Sequence, residues 1–343
     1  MALLVDEPLW RAHGTTWAHL VSDRSLAELH AFARAQGLPR RSFDLDHYDV
    51  PAHRVAGLVA AGAEAVDRRT LLSRLGAAGL RVPGGRRESA RPALREADLA
   101  AQWSLLGEEL GTAPGTGTAP DPALATGLGT GLGTILETDV RTDSRADGDA
   151  WSALGADLRA RWTEPHRHYH DLRHLEAILQ DLDLLRLDGA DVTHAILLAA
   201  WFHDAVHDGR TPQDEEASAD LARAELGRAA WSGLLPAGMP DEVARLVRVT
   251  ADHRAADRAA AILCDADLAI LGAPEDRYLA YAADVRREYS HVSDADFARG
   301  RSRVLSSIMS AERIYATDVG HARWEQRARA NVSAELDRLA GRD

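Results

Sequence analysis

The sequence predicts two domains of different class: a small α/β domain over residues 1–83 and an all-α domain over residues 151–343, separated by a transitional helix and a flexible linker over residues 84–150. Three observations lead there. Short apolar runs alternate with helix-spaced segments in the first part of the chain, as in α/β folds. Residues 111–134 read GTAPGTGTAPDPALATGLGTGLGT, a low-complexity seam without helical or strand periodicity, which is the composition of a flexible connection. Beyond residue 150 strand signals nearly vanish and apolar residues recur at helical spacing.

In the first domain, Leu3-Leu4-Val5 reads as a short apolar strand closing on Asp6. Ser25 can cap a helix that runs to about Gln36, with Leu26, Leu29, His30 and Phe32 at helical spacing and Gly37 as its stop. Ser42-Phe43-Asp44-Leu45-Asp46 alternates polar and apolar residues, as a strand with one exposed face would. Pro51 opens another helix, ended by Gly62, and Asp67 caps a third whose apolar side carries Leu71, Leu72 and Leu75. A helix is expected over Glu96–Leu110 in the transitional stretch. The second domain should hold helices at about 151–162, 170–186, 191–205, 213–229, 241–254, 256–271, 274–290, 294–316 and 320–340.

Composition narrows the function classes. With 343 residues the chain can bury two cores, and 45% hydrophobic against 27% charged residues is ordinary for a globular protein. No apolar stretch is long enough to span a bilayer, and the first residues turn acidic at Asp6 and Glu7, so neither a membrane partner nor a signal peptide is expected. The single cysteine, Cys264, excludes an internal disulfide and agrees with a reducing cytoplasm. A net charge of -13 disfavours a general grip on nucleic acid. All 40 basic side chains are arginine, a bias of genome composition that also suits phosphate recognition.

The chemistry concentrates in the second domain. A nearly all-apolar helix, Ala195-Ile196-Leu197-Leu198-Ala199-Ala200-Trp201-Phe202, ends in His203-Asp204. An imidazole and a carboxylate at the end of such a helix are costly unless compensated, and a divalent cation takes both as ligands. Upstream, His170 and His174 are four apart and share one helical face beside the stripe Leu175, Ile178 and Leu182. His203 and His207 repeat that spacing. Downstream, Asp267 has Leu263, Cys264, Ile270 and Leu271 as helical neighbours, whereas Asp265 has Ala261 and Ala269, so Asp267 is the carboxylate in greater need of a partner. An isolated His-Asp pair would favour a buried structural hydrogen bond. Three fragments in a fitting order instead point to an H…HD…D metal site and metal-assisted hydrolysis.

Other candidates each keep a blander reading. His253 could bind a second metal or phosphate, or simply interact with a helix end, and Glu216 could support a ligand or provide favourable charge in a first helical turn. Asp208 follows His207 and falls with it in a possible second-metal group. Arg167 and Arg173 could hold phosphate, though a solvated face is the default for arginine here. Tyr278, Tyr281 and Tyr289 suit packing better than base stacking. In the first domain Asp6, Trp10, His13, Trp17 and His19 cluster near one strand end, and Asp44, Asp46, His47 and Asp49 near another. They allow a polar pocket with metal as readily as a capped loop.

His174, His203-Asp204 and Asp267 resemble the ligand set of the HD superfamily of metal-dependent phosphohydrolases. Tyr169-His170 followed by His174 is similar to a motif of cyclic-nucleotide phosphodiesterases, distant members of that superfamily, and His203-Asp204-Ala205-Val206-His207 to their next motif. The nearest likeness is to a bacterial group of predicted HD phosphohydrolases with strings like Trp201-Phe202-His203-Asp204-Ala205-Val206, Glu215-Glu216-Ala217-Ser218-Ala219 and Asp265-Ala266-Asp267-Leu268-Ala269-Ile270-Leu271-Gly272. This resemblance covers about residues 151–320. The Gly-Tyr-Pro signature of the cyclic-di-GMP branch is absent. Residues 3–82, with Trp17-Ala18-His19-Leu20-Val21-Ser22-Asp23 and Asp46-His47-Tyr48-Asp49, resemble an actinobacterial domain of unknown function.

The resemblance implies an HD-type all-α domain with one or two divalent ions (Mn, Fe, Co, Ni, Zn or Mg) on His174, His203, Asp204 and Asp267. His170 would be the general acid that protonates a leaving oxygen. Asp204 could bridge to a second ion, or Asp267 could orient the attacking water. The expected activity is hydrolysis of a small phosphate ester, foremost a nucleotide. The alternative is a non-catalytic module that senses a nucleotide and signals to the first domain.

Overall fold

The computed structural model describes residues 2–12, 14–111, 137–231 and 233–341. The expected linker and His13 lie outside the described residues. The chain divides into two compact units, one of residues 1–97 with 176–192, the other of residues 98–175 with 193–343.

The first unit is built on a mixed sheet. Its elements are β1 (Leu3–Val5), β2 (Trp10–Ala12), β3 (Thr15–Ser22), α1 (Leu26–Ala35), β4 (Tyr48–Pro51), α2 (Ala52–Ala60), β5 (Glu64–Ala65) and α3 (Arg68–Ala77). The long β3 pairs antiparallel with β2, β1 and β4, and β1 pairs parallel with β5. Period-2 alternation sends successive residues to opposite faces, so β1 and β3 feed two cores. Val5, Ala18 and Leu20 meet Leu29 and Ala33 of α1 and Leu58 of α2. Leu4 and Val21 meet Leu71 and Leu75 of α3. Helices thus cover both faces. The Ser25 and Asp67 side chains accept from the backbone N–H groups of Glu28 and of Arg69 and Thr70, which starts α1 and α3 where the sequence places them.

One element departs from expectation. Residues 42–46 form no strand: a 3-10 turn over Arg40–Ser42 leads into a tight reversal, with the Asp44 N–H donating to the His47 carbonyl at 2.8 Å, and the strand begins at Tyr48. The aspartates of the alternating run are taken up by bonds to Val82, Arg87, Arg91 and His47 instead. Asp46 is buried and accepts the Val82 N–H at 2.6 Å, and Leu45 carries a positive φ of 66°.

Helix α4 (Arg87–Leu110) starts well before Glu96, because Pro92 and the polar residues around it, which argue for a boundary in sequence, are accommodated within the helix. The chain continues with α5 (Glu137–Arg161), α6 (Leu172–Leu187), of which only the first turn belongs to the second unit, and then α7 (His194–Phe202), α8 (Gln213–Leu226), α9 (Met239–Val249), α10 (Arg258–Asp267), α11 (Glu275–Glu288), α12 (Asp294–Met309) and α13 (Asp318–Ala340). Most of these helices overlap the expected ranges, with α7, α10 and α12 ending short; α9 and α13 begin two residues early, and α5 begins at Glu137, inside the stretch expected as linker. Thr193 caps α7, and its buried residues Ala195, Ile196, Leu198, Ala199, Ala200, Trp201 and Phe202 pack among α8, α9 and α10. Helix α10 stops at Asp267, where the chain tightens into a 3-10 turn over Leu268–Gly272. Asp267 therefore sits at a junction and not within a continuous helix.

Trp103 and Trp151 lock α4 to α5. Their rings stack at 4.3 Å, and each indole N–H donates to the other residue's carbonyl, at 2.7 and 2.9 Å. Gly107 and Gly155 make the approach possible, since a Cβ on Gly107 would lie 2.4 Å from the Trp151 ring and one on Gly155 2.2 Å from the Trp103 ring. Among the described residues no helix is long and apolar enough to cross a membrane.

Candidate functional site

Three chain segments of the second unit converge on one point. The His203 N–H still donates to the Ala199 carbonyl at 2.8 Å, so this residue extends α7 by one position. Its Nδ1 lies 2.8 Å from the Ala200 carbonyl, which fixes the ring and assigns the proton to Nδ1, leaving Nε2 as a ligand atom. The first turn of α6 contributes His174, and the end of α10 contributes Asp267. His174 Nε2 lies 3.2 Å from His203 Nε2, 3.0 Å from Asp267 Oδ1 and 3.8 Å from Asp204 Oδ2. His203 Nε2 lies 3.1 Å from Asp204 Oδ2 and 3.6 Å from Asp267 Oδ1. Both imidazoles are almost wholly buried, at 4% and 1% exposed. Trp162 backs them with ring separations of 6.1 and 5.3 Å.

Crowding two imidazoles and two carboxylates into a buried space has electrostatic consequences. Burial opposes an extra proton on His203, yet the charges of Asp204 and Asp267 hold its pKa well above the usual imidazole range. Burial also opposes ionisation of Asp267, but His203 and hydrogen bonds from His174, His203 and His253 keep its carboxyl well below the usual carboxylate range. Asp204 is held down in the same way, by His203 first and then by His170 and His207. A positive charge at the centre is what these carboxylates demand, and a divalent cation answers that demand with ordinary ligand chemistry for imidazole and carboxylate.

A second group adjoins the first. His170, Asp204 and His207 each offer an atom within 4.8 Å of the others, as do His174, His203 and Asp267. Asp204 is close to both, so it is the side chain able to bridge. The His170 and His207 rings lie 4.1 Å apart. Both are held by a residue that sequence reasoning missed, Glu288, the last residue of α11. Its Oε1 lies 2.5 Å from His170 Nδ1 and 3.0 Å from His207 Nε2. Its Oε2 accepts the backbone N–H groups of His168, Tyr169 and His170 at 2.8, 3.0 and 3.1 Å. Burial opposes its ionisation, but His170 and His207 hold its carboxyl far below the usual range. Burial, reinforced by the charge of His207, lowers the pKa of His170, whereas Glu288 outweighs burial at His207 and raises it. Nothing in Arg286-Arg287-Glu288-Tyr289 separates Glu288 from a solvated helix end, and it stands 118 positions after His170.

The remaining candidates divide clearly. His253 joins the site: its Nε2 lies 2.8 Å from Asp267 Oδ2, and its backbone turns left-handed at φ 54° just beyond α9. Asp208 does not; it is half exposed and pairs with Arg210. Glu216 also faces away, on the outer side of α8, where Arg248 donates to it at 2.6 and 2.7 Å. Its neighbour Glu215 is the buried one and accepts from the Thr211 hydroxyl at 2.8 Å. Helical geometry decides between them, since adjacent residues point about 100° apart. The buried Arg167 guanidinium donates to the carbonyls of His170, Asp204 and Ala205, at 3.1, 2.6 and 3.3 Å, and so ties the two motif loops together. Arg173 is engaged with Asp171 at 2.9 Å and Asp284 at 3.2 Å. Asp265 is occupied elsewhere, accepting from the Ala316 and Thr317 N–H groups and the Thr317 hydroxyl at 2.7, 2.8 and 2.6 Å.

In the first unit His19 and Asp6 meet at 2.9 Å, and His47 lies 2.7 Å from Asp46 and 3.4 Å from Asp49. Asp44 pairs instead with Arg87 and Arg91, at 2.6 and 3.2 Å. Trp10 is half exposed and cross-strand to Trp17.

Comparison with known proteins reaches only this first unit. No curated protein and no solved structure matches the chain. Residues 3–78 match a family described as "Protein of unknown function (DUF4031)".

Proposed function

We propose that the second unit is a metal-dependent phosphohydrolase of the HD type, acting on a small phosphate ester, foremost a nucleotide. The observation that carries this reading is the convergence of four ligand-type side chains, His174, His203, Asp204 and Asp267, with the two imidazole Nε2 atoms 3.2 Å apart and 3.0 to 3.8 Å from the two carboxylates. These residues would hold the ion. When bound, a divalent cation lowers the pKa of a water and offsets charge that develops on a phosphoryl oxygen.

The chain's own groups supply the rest. Glu288 anchors Nδ1 of His170, leaving Nε2 as the nitrogen that can give a proton to a leaving oxygen. Arg167 keeps the His170 and Asp204 loops in register through their carbonyls. His253 orients Asp267 from the side away from His174. Tyr169, partly buried, has its phenol held un-ionised by desolvation and lies against both His170 and His174, with ring separations of 4.8 and 4.9 Å, so it shapes the wall.

The test is phosphate release from a panel of nucleotides and simple phosphate esters by metal-stripped protein resupplied with Mn²⁺ or Co²⁺. Metal-dependent release that is lost in Asp204→Asn supports the reading. Stabilisation of the fold by a nucleotide with no release under any metal would favour the sensing module instead.

A further inference from the structure

The first unit carries its own group of ligand-type side chains, on the opposite end of the sequence from the site above. Antiparallel pairing of β3 with β4 sets His19 directly across from Asp49 on the sheet. The reversal that leads into β4 delivers His47 beside them, its ring 5.0 Å from that of His19 and edge-on to it. One ligand atom from each of His19, His47 and Asp49 lies within 4.8 Å of the other two.

What stands behind the two rings separates this group from a chance encounter of surface histidines. Asp6, only 4% exposed, places Oδ2 2.9 Å from Nδ1 of His19 and uses Oδ1 to accept the backbone N–H of the same residue at 2.6 Å. Asp46, 3% exposed, places Oδ1 2.7 Å from Nδ1 of His47 and is itself fixed by the Val82 N–H. Each imidazole therefore gives its Nδ1–H to a buried carboxylate, which leaves Nε2 as its ligand atom. Nε2 of His47 is 3.4 Å from the Asp49 carboxylate. A carboxylate behind each histidine is the arrangement that orients imidazole and raises its basicity at metal centres. The charges agree: three carboxylates, Asp6, Asp46 and Asp49, face two imidazoles, and the nearby Arg87 is shared with Asp44. The three ligand side chains remain 29%, 16% and 29% exposed, so an ion can reach them from solvent. The positive φ of Leu45, uncommon for a leucine, holds the reversal that brings Asp46 and His47 into place.

We infer that His19, His47 and Asp49 bind one divalent transition-metal ion, backed by Asp6 and Asp46, with its remaining coordination positions open to water or a small ligand. Two imidazoles and one carboxylate select a first-row transition metal such as zinc, iron, cobalt or nickel over magnesium or calcium, which prefer all-oxygen shells.

The experiment is equilibrium dialysis of the metal-stripped full chain against Co²⁺, read as bound ions per chain and as visible d–d absorption. His47→Gln and, separately, Asp49→Asn should each lower the bound cobalt by about one ion per chain, and Asp46→Asn should weaken the same ion about 10–100-fold. The loss should be the same in a His203→Ala background, which removes the second unit's ligand and makes the outcome independent of phosphate release. Folding of each variant is checked by far-UV circular dichroism. If correctly folded His47→Gln and Asp49→Asn bind as much cobalt as the parent chain, His47 is only an ion-paired side chain between Asp46 and Asp49, and the inference is overturned.

Discussion

Glu288 shows how much of a side-chain cluster can rest on one carboxylate. It accepts from three backbone amides and holds two imidazoles, so both of its oxygens are committed. A glutamine there can accept at only one atom and must present its NH₂ group to partners that need an acceptor. Glu288→Gln should therefore lower phosphate release about 10–100-fold, the usual effect of removing a residue that orients catalytic groups. Cobalt affinity at His174 and His203 should change less, because Glu288 contacts neither. Steady-state assays paired with dialysis separate the two effects, and equal losses in both would mean that Glu288 merely holds the fold. The residues that meet at this point were legible in sequence wherever a polar side chain interrupts an apolar helix, as at His174, His203-Asp204 and Asp267. Glu288 was not, because its neighbours are charged and its partners are remote in sequence. Glu216 misled for the converse reason: a glutamate pair one helical position apart gives no sign of which member turns inward.

At the scale of elements, the stacked tryptophans of α4 and α5 give the sharpest expectation. Gly155→Ala would drive a methyl into the Trp103 ring, and overpacking of this kind costs about 1–3 kcal/mol. Gly300, inside α12 with open space around its Cβ, should do the opposite, and Gly300→Ala should stabilise by about 0.5–1 kcal/mol. Denaturant titration of both variants checks the pair, and a destabilised Gly300→Ala or an indifferent Gly155→Ala would contradict the packing described.

The loop after α12 offers a pH test. Glu325 accepts the Ile314 and Tyr315 N–H groups, at 3.0 and 3.2 Å, and pairs with Arg329 at 2.7 Å. Burial opposes its charge, yet these partners hold its carboxyl below its unperturbed value of 4.5. A depressed folded-state value stabilises the fold above the unfolded pKa, and that stability is lost as pH falls through the folded one. The stability difference between wild type and Glu325→Gln should thus be full near neutrality and shrink below pH 4.5, as followed by urea titration across pH. A difference that stays constant would assign the loop to other contacts.

Most helices of the second unit were legible because one face is apolar at regular spacing or, in α7, because nearly every residue is apolar. Most of the sheet was not. In β3, Ala18, Leu20, Val21 and Ser22 are buried on alternating faces that are both covered, so no polar-apolar alternation marks the strand. Residues 42–46 do alternate, but their polar members are taken up by a turn.

Among the described residues, ligand-type side chains gather in two places, one in each unit, in a chain of net charge -13. Both groups bury carboxylates beside imidazoles, and in both a cation is the economical compensation. Metal removal should then lower the thermal transition of the protein, since an ion that binds only the folded chain stabilises it by mass action.

The proposed function requires that His174, His203, Asp204 and Asp267 together hold a divalent ion. It is tested most directly by isothermal titration of metal-stripped protein with Co²⁺ in a His47→Gln background, where the first unit contributes nothing. Binding should be saturable, at about one ion per chain or more, and should disappear, or weaken by more than about 100-fold, when His203→Ala is added. Undiminished binding in the folded His203→Ala chain, or no binding before that change is made, would contradict it.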